Sequence, residues 1–182
     1  MRNEDEEEDD NDLYVTYPMQ IIGAGRDKTF IQGGGFDIRG KKEKGKNVVL
    51  KNMTISETSY NGVYGRDGLS WLCDSLTITQ CDTHGVFAYS TKGRLINCAI
   101  TQCGGNGICC SSNALIELEG SQTIVDGNVT SGRSGWYGLL TVFTSSIIHL
   151  LFPLTKESVS TNNHGGDNYG GITGTIQTVD SF

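Results

Sequence analysis

At 182 residues the chain is of single-domain size, and 25 Gly against 2 Pro, with many Thr, Ser and Asn, is a composition of short strands and turns. The formal charge of −7 comes from one end, because residues 1–12 hold eight acidic side chains and one basic, and the remainder balances at 13 of each sign. A neutral body argues against a nucleic-acid partner, no apolar run approaches the ~18 residues of a membrane span, and six cysteines without a C-x-x-C pair argue against zinc.

In chain order, residues 1–12 are expected to be a disordered acidic tail, since like charges repel and bring no core contacts. Residues 13–182 are expected to form one domain. The N-terminus as given has no apolar leader, which leaves the setting cytoplasmic or unknown and makes reduced thiols the expected state. The stretch "IIGAGRDKTFIQGGGFDI" from Ile21 to Ile38 has the glycines of a phosphate loop. Its spacing fits neither phosphate-binding pattern: Asp27 stands before Lys28 where a P-loop needs Gly, and Gly33-Gly34-Gly35 follow where a helix should open. The expectation is strand, turn, strand, with Asp27 in the turn. The basic run Arg39, Lys41, Lys42, Lys44 and Lys46 reads as a solvated turn; docking of the acidic tail onto it is the alternative.

The next segments repeat. "LKNMTISETSYNGVYGRDG" from Leu50, "CDSLTITQCDTHGVFAYSTKG" from Cys73 and "LINCAITQCGGNGICCSSN" from Leu95 place Ile55, Ile78 and Ile100 at spacings of 23 and 22. Gly62, Gly85 and Gly107 keep the same spacings, each followed by Val or Ile, and Asn52, Ser75 and Asn97 precede the Ile strand. Gly138-Leu139 and Gly171-Ile172 extend the glycine step at longer intervals, which implies insertions. The units alternate with period two and lack helical stripes. A unit of this length with about three short strands cannot bury its apolar side chains alone, and stacked units can. The fold class is therefore all-β, a right-handed parallel β-helix (β-solenoid) of about five coils. The six cysteines fall on repeat positions as small fillers.

These features resemble the pectate-lyase-like superfamily of right-handed parallel β-helices. "IIGAGRDKTFIQGG" is similar to the opening coil of pectin methylesterases, and the Asn-x-x-Ile and Gly-[Val/Ile] steps are similar to the superfamily's generic coil. The resemblance implies the fold over most of residues 19–179. It leaves function open, because lyases, hydrolases, esterases, epimerases and binding proteins share that fold.

The catalytic patterns of those enzymes are not matched. Only Thr83-His84-Gly85 touches the polygalacturonase pattern, which leaves Asp82 and His84 as weak catalytic candidates. His84 aligns with Asn61 and Asn106, which favours a turn role. His149 reads as a structural strand residue, and "NNHGGDNYGG" (162–171) as a long flexible loop. The alternation after each repeat glycine points Val63, Gly65, Val86, Ala88, Ile108 and Cys110 inward. It points Tyr64, Arg66, Phe87 and Tyr89 outward as an aromatic ladder with a guanidinium, the candidate ligand-binding set. Outward Thr around the inward Ile resembles ice-binding solenoids, interrupted at Ala99. The expected function is a non-catalytic scaffold binding a carbohydrate or protein partner along its side. The alternative is an enzyme acting on uronic-acid polymers, and the minor one an ice-binding solenoid. No cofactor, metal, nucleic acid or membrane is expected, and the sequence sets no oligomeric state.

Overall fold

The computed structural model describes residues 11–42 and 44–180, so most of the expected acidic tail lies outside the described residues. Within them the chain winds through three parallel faces. Face one contains Leu13–Val15, Phe36–Arg39, Val63–Arg66, Val86–Tyr89, Ile108–Ser111, Tyr137–Val142 and Asp167–Ile172 in stacking order. Faces two and three share the long strands Val48–Ser56 and Trp71–Thr79, each bent at a single left-handed residue, Asn52 (φ 55°) or Ser75 (φ 57°). One coil later the same corner divides Lys92–Ile96 from Ala99–Thr101 at Asn97 (φ 51°). Asn and Ser tolerate this backbone state better than most L residues, which explains their place before the Ile strand. A second left-handed column, Glu57, Gln80, Gln102, Gly127 and Asn162, turns the chain out of face three.

Ile31, Ile55, Ile78, Ile100 and Val125 stack in one column, and the three repeat isoleucines are wholly buried. This column accounts for the recurring glycine. A Cβ on Gly62 would come within 2.4 Å of Ile78 Cγ2, and one on Gly85 within 2.3 Å of Ile100 Cγ2. The isoleucine of the next coil occupies the space a side chain would need, so the two repeat signals are one packing constraint. Trp71 fills the core near the corner between faces one and two, against Gly65 and Gly93.

Face one has seven strands, two more than the expected number of coils. The added rungs are Leu13–Val15, which precedes the recognisable repeat, and Asp167–Ile172, which lies in the segment expected to be a loop. Tyr169 pairs with Leu139 and Gly171 with Thr141, so the last coil is set three residues off the Gly-aliphatic alignment. Asn163 and Asn168 hold that register: Asn163 N donates to Asn168 Oδ1 at 3.0 Å, and Ser160 Oγ donates to Asn168 O. The extra residues of the longer coils lie in the turns 120–123 and 127–136 and around the short helix Lys156–Val159.

The Gly23–Gly25 segment is a corner of the first coil. Gly23 N donates to Lys51 O, Gly25 N to Asn52 O, and Lys28 N and Thr29 N to Gly25 O. Ala24 N donates to Thr29 Oγ1. Amides that would cradle a phosphate are spent within the turn and on the next coil. No helix among the described residues is long and apolar enough to cross a membrane.

Candidate functional site

Face one carries the expected outward rings. Tyr64 and Phe87 are Cα partners on adjacent coils, and their rings stack with centroids 5.0 Å apart and planes inclined by 7°. Parallel strands lie about 4.8 Å apart, so identical rotamers on consecutive rungs produce this geometry. Tyr89 stands one position beyond on the outward alternation and is 42% exposed.

Arg66 sits opposite Tyr89 in the register, but its guanidinium turns to the preceding coil. Its Nε and Nη2 donate to the two carboxylate oxygens of Asp37 at 3.1 and 2.7 Å. The guanidinium carbon lies 5.2 Å from the Tyr64 centroid. The hydrogen-bonded carboxylate of Asp37 raises the pKa of Arg66 further above its ordinary value. Partial burial raises that of Tyr64, so the phenol stays neutral. Asp37 is almost fully covered, and the ion pair fixes one end of the ring stack.

At the other end His84 meets Phe87 edge-on, with centroids 5.5 Å apart and planes at 78°. Trp136 packs against His84 at 5.4 Å and 64°, and Arg133 lies 5.0 Å over the Trp136 ring. The order Asp37, Arg66, Tyr64, Phe87, His84, Trp136, Arg133 is a braced aromatic strip. Asp37, Trp136 and Arg133 had no repeat signal to mark them: Asp37 lies in the irregular second coil, and Trp136 and Arg133 in an insertion. Beyond Phe87 the same outward column continues as Cys109 and Leu140, both buried.

His84 takes the place of an asparagine in a chain of turn contacts. Asn61 Oδ1 accepts from His84 N at 3.2 Å, His84 Nδ1 accepts from Asn106 N at 3.0 Å, and Asn106 Oδ1 accepts from Tyr137 N at 2.6 Å. A neutral ring with Nδ1 accepting carries its proton on Nε2. Burial lowers the His84 pKa to about 4, so the ring is neutral at pH 7. Asp82 is exposed, and no hydrogen bond joins it to His84 among the described residues. The two weak catalytic candidates share a turn without forming an acid–base pair.

The other marked residues have local partners. His149 lies on face two with Nε2 3.2 Å from Gln177 Nε2. Thr54 and Ser56 are buried, and Thr54 Oγ1 donates to Arg26 O at 2.7 Å, which ends the threonine row of face three. All six cysteines are buried and unbridged. Burial pushes the Cys109 and Cys110 thiols up to about 12, whereas a hydrogen bond with Cys103 lowers Cys81. Among the described residues no group of three His, Cys, Asp or Glu side chains is placed to hold a metal ion.

A family model described as "right handed beta helix region" matches residues 22–150. No curated protein and no solved structure matched the chain.

Proposed function

The chain belongs to the right-handed β-helix family, and on that scaffold we propose a non-catalytic carbohydrate-binding face along face one. The observation that carries this reading is Tyr89, an exposed ring with no hydrogen-bond or ring partner among the described residues, beside a prearranged aromatic wall. Tyr64 and Phe87 shield one face of each other, Arg66 lies over the Tyr64 ring and His84 meets Phe87 edge-on. Neither ring keeps both faces open. Tyr89 is the ring whose face is free to stack on a sugar, and the wall beside it does not have to be ordered on binding.

A partner protein is the second reading. The outward rings of Tyr64 and Phe87, with Trp136 and Arg133 at the end of the strip, match the Tyr, Trp and Arg enrichment of interface hot spots.

The test is binding of the purified chain to an array of neutral and uronic-acid oligosaccharides. Tyr89→Ala should weaken the captured glycan by roughly 1–3 kcal/mol, the range for hot-spot aromatics. Phe87→Ala should weaken it less, by loosening the wall. Wild-type glycan binding by Tyr89→Ala refutes the platform. Turnover of a uronic-acid polymer that is lost in His84→Ala or Asp82→Asn replaces the reading with an enzymatic one.

A further inference from the structure

A concavity of about 630 Å³ opens on face three where the chain turns toward face one. Gln80, Thr101, Gln102, Asp126, Thr130 and His164 line it together with Gly127. We propose that this groove binds an uncharged polyhydroxylated ligand, such as a short neutral glycan, independently of the aromatic face.

Unspent polar groups converge on the groove from four coils. Gln80 and Gln102 occupy the same left-handed corner on adjacent coils, at φ 56° and 55°, where the column elsewhere has Gly127 and Asn162. Neither glutamine amide makes a side-chain hydrogen bond with a described residue, so the two form a short ladder of free donors and acceptors about 4.8 Å apart. Asp126 adds a fixed carboxylate. Its Oδ1 accepts from Thr161 Oγ1 at 2.6 Å and from Asn162 Nδ2 at 2.8 Å, and Oδ2 has no partner among the described residues. Thr101 Oγ1 donates to Thr79 Oγ1 at 3.0 Å and keeps a lone pair for the groove. His164 is held by its backbone, whose N–H donates to Asn128 O at 2.9 Å, and its ring is unpaired among the described residues.

The chemistry of this lining selects the ligand class. Two amides, two hydroxyls, an imidazole and a carboxylate oxygen offer both donors and acceptors, as a polyol does. The one fixed charge is negative, which disfavours uronates and phosphates. No phenyl, phenol or indole ring lines the groove, so recognition here is by hydrogen bonds, unlike that proposed for Tyr89.

The experiment is calorimetric titration of the full chain with cellohexaose, maltohexaose, mannohexaose and hexagalacturonate. At least one neutral hexasaccharide should bind, and more tightly than hexagalacturonate. The double variant Gln80→Asn and Gln102→Asn keeps residues that suit left-handed corners while withdrawing the amides, and should weaken that binding at least tenfold. His164→Ala should weaken it severalfold, and Tyr89→Ala should leave it unchanged, which separates this site from the face-one reading. The proposal is overturned if no neutral hexasaccharide binds, if hexagalacturonate binds more tightly than all three, or if the double variant and His164→Ala, with wild-type melting temperatures, both bind as wild type does. It is equally overturned if Tyr89→Ala alone abolishes the binding.

Discussion

The Nδ1 atom of His84 lies 3.0 Å from the backbone nitrogen of Asn106 and accepts its N–H, as Asn61 Oδ1 accepts the N–H of His84 one coil earlier. A histidine thus serves as an asparagine in the turn column, but it is one that titrates.

The folded-state pKa of His84 is lowered to about 4 from its ordinary 6.5, so the unfolded chain binds the additional proton first as pH falls. The contribution of the neutral ring is complete above pH 6.5 and is lost progressively as pH falls toward about 4. His84→Asn keeps an acceptor in the column and removes the titration. Melting curves should show the wild type losing stability relative to His84→Asn across that window, and a constant difference between them from pH 7 to 4 would contradict the assignment.

Ile78 is the centre of the buried column. Ile78→Asp should cost several kcal/mol, because an unpaired carboxylate enters a space with no polar partner. Ile78→Val, which removes one methylene, should cost about 0.5–1.5 kcal/mol. Chemical denaturation of the two variants measures both, and equal midpoints would refute the register.

Trp71 is held between two glycines. A Cβ on Gly65 would fall 1.9 Å from Trp71 Nε1, and one on Gly93 2.1 Å from Trp71 Cζ2. Either Gly→Ala change must displace the indole and should destabilise by about 1–3 kcal/mol or more. Near-ultraviolet circular dichroism and tryptophan emission should report the displacement before global unfolding. Unperturbed spectra with unchanged stability would place the indole elsewhere.

The Asp37–Arg66 pair is asymmetric, with side-chain exposures of 6% and 30%. Arg66→Ala leaves a covered carboxylate without its counter-charge, whereas Asp37→Asn leaves a guanidinium that still reaches water. Arg66→Ala should therefore cost more, about 1–3 kcal/mol once exposure of the guanidinium is allowed for. Thermal melts of the two variants at low and moderate salt would decide the order, and a larger loss for Asp37→Asn would refute it.

The sequence alone determined the repeat-bearing middle of the molecule. Ile55, Ile78 and Ile100, with Gly62, Gly85 and Gly107, are visible at constant spacing because each pair meets in the core, where one packing solution recurs coil after coil. The outward direction of Tyr64, Phe87 and Tyr89 follows from the same alternation, since a strand's side chains change face at every residue. The tertiary structure decided what that regularity does not encode. The rungs Leu13–Val15 and Asp167–Ile172 lack the repeat, and the second is set three residues off it by the contacts of Asn163 and Asn168. Arg66 chose Asp37 over the neighbouring Tyr89, because a bidentate ion pair with a covered carboxylate outweighs a ring contact. Trp136 comes from an insertion, whose length and direction are set by what it packs against rather than by any period in the chain, and Asp126 comes beside Gln102 because its strand pairs it with Thr101 in a coil that the sequence repeat does not mark.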